Sequence, residues 1–403
     1  MKICVLSCFN DLLARDTGGA VRIYSIAKNL SGLGHDIHVL IPGEKKAKQI
    51  VDGIIIHRVN GLTPLIFLQS LSNLFGIMRP TMLYFFDLLF ILRVYKVLHN
   101  LDFDLVQIEQ PWTSGLIMPL IKVVLKKGLV VDSHDVFQAL RIGQKLSLRR
   151  PLEVFFEKLA YQLSDLILVV SKNEKENLGK YGVRKSKIVV IPNGVDTQTF
   201  VPVSNTMPNH NVNVPTKQYK VIFVGNMQYT PNQEAVKEIA LNLEPKVRRQ
   251  IGNVRFVIVG RTPPNFAGSF SNVMFTGMVS DVSEWLTSSD VAIAPIFHGS
   301  GTRLKILEYF SCGLPVVSTS MGVEGLDIED GVNIVIENDM KDFANKITEL
   351  LRNRELSFKL GRAATQLVIE KYDWRKIVSR LDKIYSSSFS GEQGSSVTKI
   401  GRK

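Results

Sequence analysis

Residues 298–319 read HGSGTRLKILEYFSCGLPVVST, passing from a loop of small residues through an apolar helical pattern to a β-branched run. Gly299, Ser300, Gly301 and Thr302 carry little or no side chain, so the backbone there can approach a ligand closely. Ile306, Leu307 and Phe310 recur at helical spacing, which predicts a helix over 303–312, stopped by Gly313-Leu-Pro. Free N–H groups at such a helix start carry roughly half a positive charge. Arg303 and Lys305 add two cations in the first turn, which disfavours the helix by about a few tenths of a kcal/mol unless an anion docks there. A diphosphate would satisfy amides, dipole and both cations together. Glu308 stands one turn beyond Lys305 and can accept two hydrogen bonds from vicinal ribose hydroxyls. A surface Lys305–Glu308 pair on a packed helix accounts for the same spacing.

The surrounding chain repeats this alternation. KICVLSC, DIHVLIP, GIIIHRV, FDLVQIE, GLVVDSHD, DLILVVS and SKIVVIPNGV read as strands, with helices at 18–34, 114–126, 152–164 and 172–182. Residues 196–217, rich in Pro, Asn and Thr, read as a linker. Strand patterns resume at YKVIFVGN, VRFVIVG, NVMFTGM, DVAIAPI and PVVSTS, with helices at 232–242, 282–287 and 303–312 and a helical end over 340–386. Strand–helix alternation predicts two α/β domains of Rossmann-like αβα type, at 1–195 and 218–371, each a parallel sheet wrapped by helices. Facing each other, they would line a cleft with strand C-termini. Residues 387–403, Ser/Gly-rich, read as a disordered tail.

The 403 residues, 45% hydrophobic, suffice for two cores. A formal charge of +12 suits nucleic acid, anionic lipid or phosphorylated small molecules, or a merely basic surface. Aromatic and basic residues do not interleave as base-stacking platforms require, which argues against nucleic acid. Cys4, Cys8 and Cys312 are too few and too unevenly placed for a disulfide scaffold or a zinc site, and indicate a reducing, cytoplasmic compartment. MKICVLSCFNDLLARD lacks a leader's cleavage pattern, because Asp11 and Asp16 stand where small residues would. Between Leu62 and Leu98 the chain is very apolar, but Asp87, Arg93, Lys96 and several polar residues make a spanning helix unfavourable. Leu65, Leu68, Leu71, Leu74, Phe75 and Met78 instead form an amphipathic pattern, for the core or for a membrane interface beside Arg79, Arg93 and Lys96.

Three more places offer ligand chemistry. Gly18 and Gly19 open a helix after the first strand, without the G-x-G-x-x-G of a nicotinamide site. His134 follows a buried strand, and Asp132 or Asp135 could orient it toward a sugar hydroxyl or phosphate; a structural turn histidine has the same pattern. Gly225 and Asn226 end the second domain's first strand. Beyond these, Arg141, Lys145, Arg149 and Arg150 form a basic segment that is either a solvated face or a surface for an acceptor or lipid.

The block HGSGTRLKILEYFSCGLPVVSTSMGVEGL, with FVGNMQYTPN, IPNGVD, SHD and the early Gly-Gly in this order, resembles the retaining glycosyltransferases of the GT4-like group, over nearly the whole chain. The resemblance implies a GT-B fold, with helix 372–386 crossing back onto the first domain. It implies a nucleotide-diphosphate sugar, UDP- or GDP-linked, as donor and a saccharide or lipid-linked glycan as acceptor. Glu308 would hold the ribose, Arg303 and Lys305 the diphosphate, and Gly299, Ser300, Gly301 and Thr302 the distal phosphate. Gly277 and Val279 would receive the base, while Gly18, Gly19 and His134 would close on phosphate and sugar. Two departures stand out. Ser300 occupies the place of a second glutamate, and neutral Asn226 and Asn232 that of a basic pair. The diphosphate then depends more on Arg303 and Lys305, without a metal, and retention would follow from same-face attack, since no carboxylate nucleophile is evident. A nucleotide-sugar epimerase shares this architecture but needs more cleft carboxylates. A non-catalytic protein of membrane surfaces rests on charge alone.

Overall fold

The computed structural model describes residues 1–9, 12–14, 17–62, 87–111, 116–134, 150–180, 182–202, 218–261, 270, 272–299 and 304–389. The chain forms two compact units: Met1–Pro192 with Ile377–Lys403, and Asn193–Lys376.

The first unit is built on an eight-stranded sheet, ordered β3-β4-β2-β1-β5-β6-β7-β8. Its strands are β1 (Lys2–Leu6), β2 (Asp36–Pro42), β3 (Ala47–Val51), β4 (Ile54–Val59), β5 (Leu105–Glu109), β6 (Gly128–Ser133), β7 (Leu166–Val169) and β8 (Ile188–Val190). β1, β5, β6 and β7 are almost wholly buried, as expected of parallel strands covered on both faces. The edge strand β3 was not anticipated. It is antiparallel to β4 and largely exposed, and Asp52 and Gly53 make the turn at positive φ. The Asp-Gly pair was its signal in the sequence. The region expected as a helix over 114–126 is a short helical turn at Ile117–Pro119 running into one turn of π-helix at Leu120–Val124.

In the second unit a six-stranded parallel sheet runs β11-β10-β9-β12-β13-β14. These strands are β9 (Tyr219–Val224), β10 (Val254–Val259), β11 (Val273–Gly277), β12 (Val291–Ala294), β13 (Val316–Ser318) and the two-residue β14 (Val335–Ile336). The helix expected over 232–242 is part of a longer structure. Thr230–Glu238 passes through a π turn at Ile239–Leu243 into Glu244–Ile251, where Pro245 occupies the first turn, the position a helix tolerates. The helical end resolves into Met340–Arg352, Arg354–Lys371 and Trp374–Phe389. Asn353 separates the first two and caps the second by accepting from the Leu356 N–H. The last helix continues to Phe389, whose ring lies where a Cβ on Gly128 would fall.

In both sheets the strand order reverses at the first strand. β1 lies between β2 and β5, and β9 between β10 and β12. Loops leaving the carboxyl ends of strands at such a reversal diverge to opposite faces and leave a crevice. Gly18 and Gly19 follow β1, and Gly225 and Asn226 follow β9. Among the described residues no helix is long and apolar enough to cross a membrane. The amphipathic pattern at 65–78 and Arg79 lie outside the described residues, whereas helix Leu88–Leu101 buries Phe90, Val94 and Leu98.

Candidate functional site

In the first unit, Thr17 caps helix Gly18–Gly32, its hydroxyl accepting from the Ala20 N–H at 3.3 Å. Gly18 and Gly19 therefore form the first turn after β1. A Cβ on Gly19 would lie 2.3 Å from Phe9 Cζ and 3.1 Å from His134 Nδ1, so the absence of a side chain brings this backbone against the histidine. His134 lies just past β6 and is 9% exposed. Its ring is roughly parallel to that of Phe9, 6.3 Å away.

His134 is oriented by Glu109, the last residue of β5, and not by Asp132 as anticipated. Nε2 lies 2.6 Å from Glu109 Oε2 and 3.9 Å from Asp132 Oδ2. Asp132 is engaged elsewhere. Arg22, on the helix that Gly18 opens, donates from Nε to Oδ2 at 2.8 Å and from Nη2 to Oδ1 at 3.0 Å. Nη1 of the same guanidinium donates to the carbonyls of Ile191 and Pro192, at 2.9 and 3.3 Å. Asp135, the other anticipated partner, lies outside the described residues.

Burial pushes the Glu109 carboxyl upward, and the charge of Asp132 adds to that, against the hydrogen bonds from His134 and Gln107. For His134 burial opposes the charged ring, but the Glu109 hydrogen bond and the fields of Asp132 and Glu109 outweigh it and hold the imidazole above its ordinary value. Glu109, Asp132 and His134 offer ligand atoms within 4.8 Å of one another, close enough to suit a metal ion. The cation among them is Arg22, which takes both Asp132 oxygens, and the Glu109–His134 contact is already at hydrogen-bonding distance.

In the second unit, Gly225, Gly260 and Gly277 stand at the carboxyl ends of the neighbouring strands β9, β10 and β11. The Gly225 N–H donates to the Val259 carbonyl and the Gly260 N–H to the Gly277 carbonyl. Gly260 adopts φ 134°, and a Cβ there would fall 2.1 Å from the Gly225 carbonyl oxygen. Asn226 follows, and its carbonyl accepts from Asn232 Nδ2 at 2.8 Å. Val279, just past Gly277, is half-buried against the core.

Helix Leu304–Ser311 packs its Ile306, Leu307, Tyr309 and Phe310 side inward. The buried Tyr309 hydroxyl accepts from the Val224 N–H at 2.7 Å, tying the helix to the end of β9. This sets Lys305 over the Gly225 turn. Its Nζ donates to Asn232 Oδ1 at 2.9 Å and lies 3.9 Å from the centre of the Phe223 ring. Glu308, one turn on, is half-buried. Burial raises its carboxyl to about 7, against the pull of Lys305, and no described residue hydrogen-bonds its side chain. Gly299 holds φ 118°, a backbone open to glycine and strained for other residues.

Ser300, Gly301, Thr302 and Arg303 lie outside the described residues, as do Arg141, Lys145 and Arg149. Arg150 begins helix Arg150–Leu163. Sequence reasoning missed Arg22, Gln107 and Glu109. Their signal was a charged or amide side chain in an otherwise apolar run, VQIE for β5 and AVRIY for the first helix. Cys4, Cys8 and Cys312 are buried and form no disulfide.

The family model described as "Glycosyltransferase Family 4" matches residues 17–199, and that described as "Glycosyl transferases group 1" matches residues 218–353. A curated relative, the chitobiosyldiphosphodolichol beta-mannosyltransferase of Candida albicans, is 25% identical over 93% of this chain and 85% of its own length. Among solved structures, sucrose-phosphate synthase of Thermosynechococcus elongatus superposes with a TM-score of 0.74 at 17% identity, covering 97% of this chain and 99% of the other. Anabaena HepE in complex with UDP-glucose superposes with a TM-score of 0.68 at 16% identity, over 96% of this chain and all of that one (100%).

Proposed function

The chain belongs to the family 4, group 1 glycosyltransferases of GT-B fold, and from that premise we propose that it transfers a sugar, with retention, from a nucleotide-diphosphate sugar to a hydroxyl of a saccharide or lipid-linked glycan. The observation that carries the donor assignment is the pairing on one helix of Lys305, seated over the Gly225 turn, with the half-buried Glu308 carboxylate one turn later. A diphosphate beside the ammonium and a ribose diol on the carboxylate fit that order of groups. The complex of HepE with UDP-glucose supports a nucleotide-diphosphate sugar as donor, and the mannosyl transfer named for the Candida protein supports a hexosyl group.

As the bond from the anomeric carbon to the diphosphate breaks, negative charge grows on the leaving oxygen. Lys305 and Arg303 are the cations that meet it, with backbone amides of Gly299, Ser300, Gly301 and Thr302, so that leaving-group stabilisation needs no metal. Gly277 and Val279 border the base, and Asn226 and Gly225 the diphosphate. In the family resemblance, Gly18, Gly19 and His134 would be the residues that contact sugar and phosphate. The acceptor hydroxyl attacks the face the diphosphate leaves, which retains the anomeric configuration.

The basic segment with Arg141, Lys145, Arg149 and Arg150, in a chain of formal charge +12, favours an acceptor carried at an anionic membrane. A peripheral, cytoplasmic-face enzyme of surface polysaccharide or glycoconjugate assembly would have that composition. Thermal stabilisation by UDP-, GDP- and ADP-sugars tests the donor assignment, since a bound ligand raises the melting temperature. A shift with one nucleotide class, lost in Glu308→Ala, is expected. No shift with any of them would remove the assignment. Anomeric analysis of the product by NMR tests retention.

A further inference from the structure

The last helix, Trp374–Phe389, carries a buried polar group that the transfer chemistry does not require. Tyr385 is fully buried, and its hydroxyl donates to Gln107 Oε1 on β5. Gln107, 1% exposed, donates from Nε2 to Glu109 Oε1 at 2.6 Å. The other oxygen of Glu109 meets His134 Nε2 at 2.6 Å. All four side chains belong to the first unit.

We propose that Tyr385, Gln107 and Glu109 are positioning residues for His134, forming a directed hydrogen-bond chain that fixes its ring and leaves Nδ1, beside Gly19, as the nitrogen that meets the ligand. The direction comes from the donor inventory. A tyrosine hydroxyl that donates requires the oxygen end of the Gln107 amide, and the amide then has only its NH2 end for Glu109. With both neighbours donating, Glu109 is held as the carboxylate acceptor. Reversed, the amide would aim its carbonyl at a buried carboxylate, and Glu109 would take up a proton and release the ring. A phenylalanine would fill the Tyr385 site equally well but would leave the amide without a set direction.

On the ligand side, the 3.1 Å between a Cβ on Gly19 and Nδ1 places that nitrogen against the helix opening, where it accepts from a ligand hydroxyl when the ring is neutral and donates to a phosphate oxygen when the ring is charged. Among the described residues the charged groups around His134 are Glu109 on β5, Asp132 on β6 and Arg22 on the first helix, and Arg22 is committed to Asp132. The inference rests on the transferase reading only in treating the Gly19 side of His134 as the ligand side; the hydrogen-bond chain stands without it.

The test is an NMR titration of the imidazoles in ¹⁵N-histidine-labelled full-length protein, with His134 assigned by its loss in His134→Gln. In the wild type the neutral ring should be the Nε2–H tautomer, and its midpoint should fall in Glu109→Gln, Gln107→Met and Tyr385→Phe. Asp382→Asn is the control. It lies on the same helix and takes the charge out of a 2.8 Å contact with His35, so it weakens that helix's anchoring without touching the chain. It should leave the His134 midpoint in place. An Nδ1–H tautomer, an unmoved midpoint in Tyr385→Phe and Gln107→Met, or an equal fall in Asp382→Asn would overturn the proposal. The titration needs no donor, so a failure of the donor assignment would appear separately, in thermal shifts.

Discussion

Glu308 should make donor binding depend on pH in a way its environment fixes. The carboxyl is raised to about 7 by burial, against the attraction of Lys305, and no described residue hydrogen-bonds it. Two ribose hydroxyls donating to that group bind the carboxylate more strongly than the neutral acid, because charge-assisted bonds are roughly twice as strong. The carboxylate population falls from about nine-tenths at pH 8 to about one-tenth at pH 6, so affinity for a nucleotide-diphosphate sugar should drop by up to about tenfold over that interval, or up to about 1.4 kcal/mol. The phosphates of such a donor keep their charge throughout, so the slope belongs to the protein. Calorimetry at neutral pH in two buffers of different ionisation enthalpy should also register about half a proton released per donor bound. Glu308→Gln should bind more weakly at high pH and lose the slope. The same group acts on the fold. A carboxyl raised on folding favours the folded state below its unfolded value, and that contribution disappears as pH rises through about 7. Stability should therefore decline across the window from about 4.5 to about 7, by at most about 3 kcal/mol, and Glu308→Gln should flatten it. Wild-type affinity indifferent to pH, or a slope that persists in Glu308→Gln, would refute the reasoning.

Three further outcomes follow from single contacts. Lys305→Met keeps the alkyl stem and removes the ammonium from Asn232 and Phe223; kcat/KM should fall by about a hundredfold or more, while Asn232→Ala, which removes one hydrogen-bond partner and leaves the charge, should cost less; steady-state kinetics compares them. Arg22→Met would leave the fully buried Asp132 carboxylate without its two guanidinium bonds, a loss of about 3–5 kcal/mol in urea unfolding. Gly260→Ala puts a methyl 2.1 Å from the Gly225 carbonyl oxygen at a left-handed φ, so it should lower the melting temperature and weaken donor binding together; normal thermal unfolding would show that the two turns do not touch.

Much of the architecture was legible in the order of residues. Buried parallel strands read as continuous apolar runs such as VIFV and VAIA, and these became β9 and β12. Lys305 and Glu308 were legible too, because helical spacing alone puts them on neighbouring turns. What spacing could not express is which partner each group takes. Asn232 looked like a neutral substitute for a missing cation; the fold brings Lys305 to it across 73 positions of chain. Asp132, two residues from His134, looked like its orienting acid, yet the carboxylate goes to Arg22 and Glu109 takes the ring. Glu109 and Asp132 are paired across β5 and β6, so two carboxylates reach the histidine's side of the sheet, and the choice falls to Arg22, which takes both Asp132 oxygens. Tyr385 could not be found from its own surroundings, since its hydroxyl meets β5 only after the chain has built the second unit and returned. Local pattern therefore determined the elements and the residue types at their ends, while the pairing of buried charges was decided by tertiary packing, which alone sets the distances over which they act.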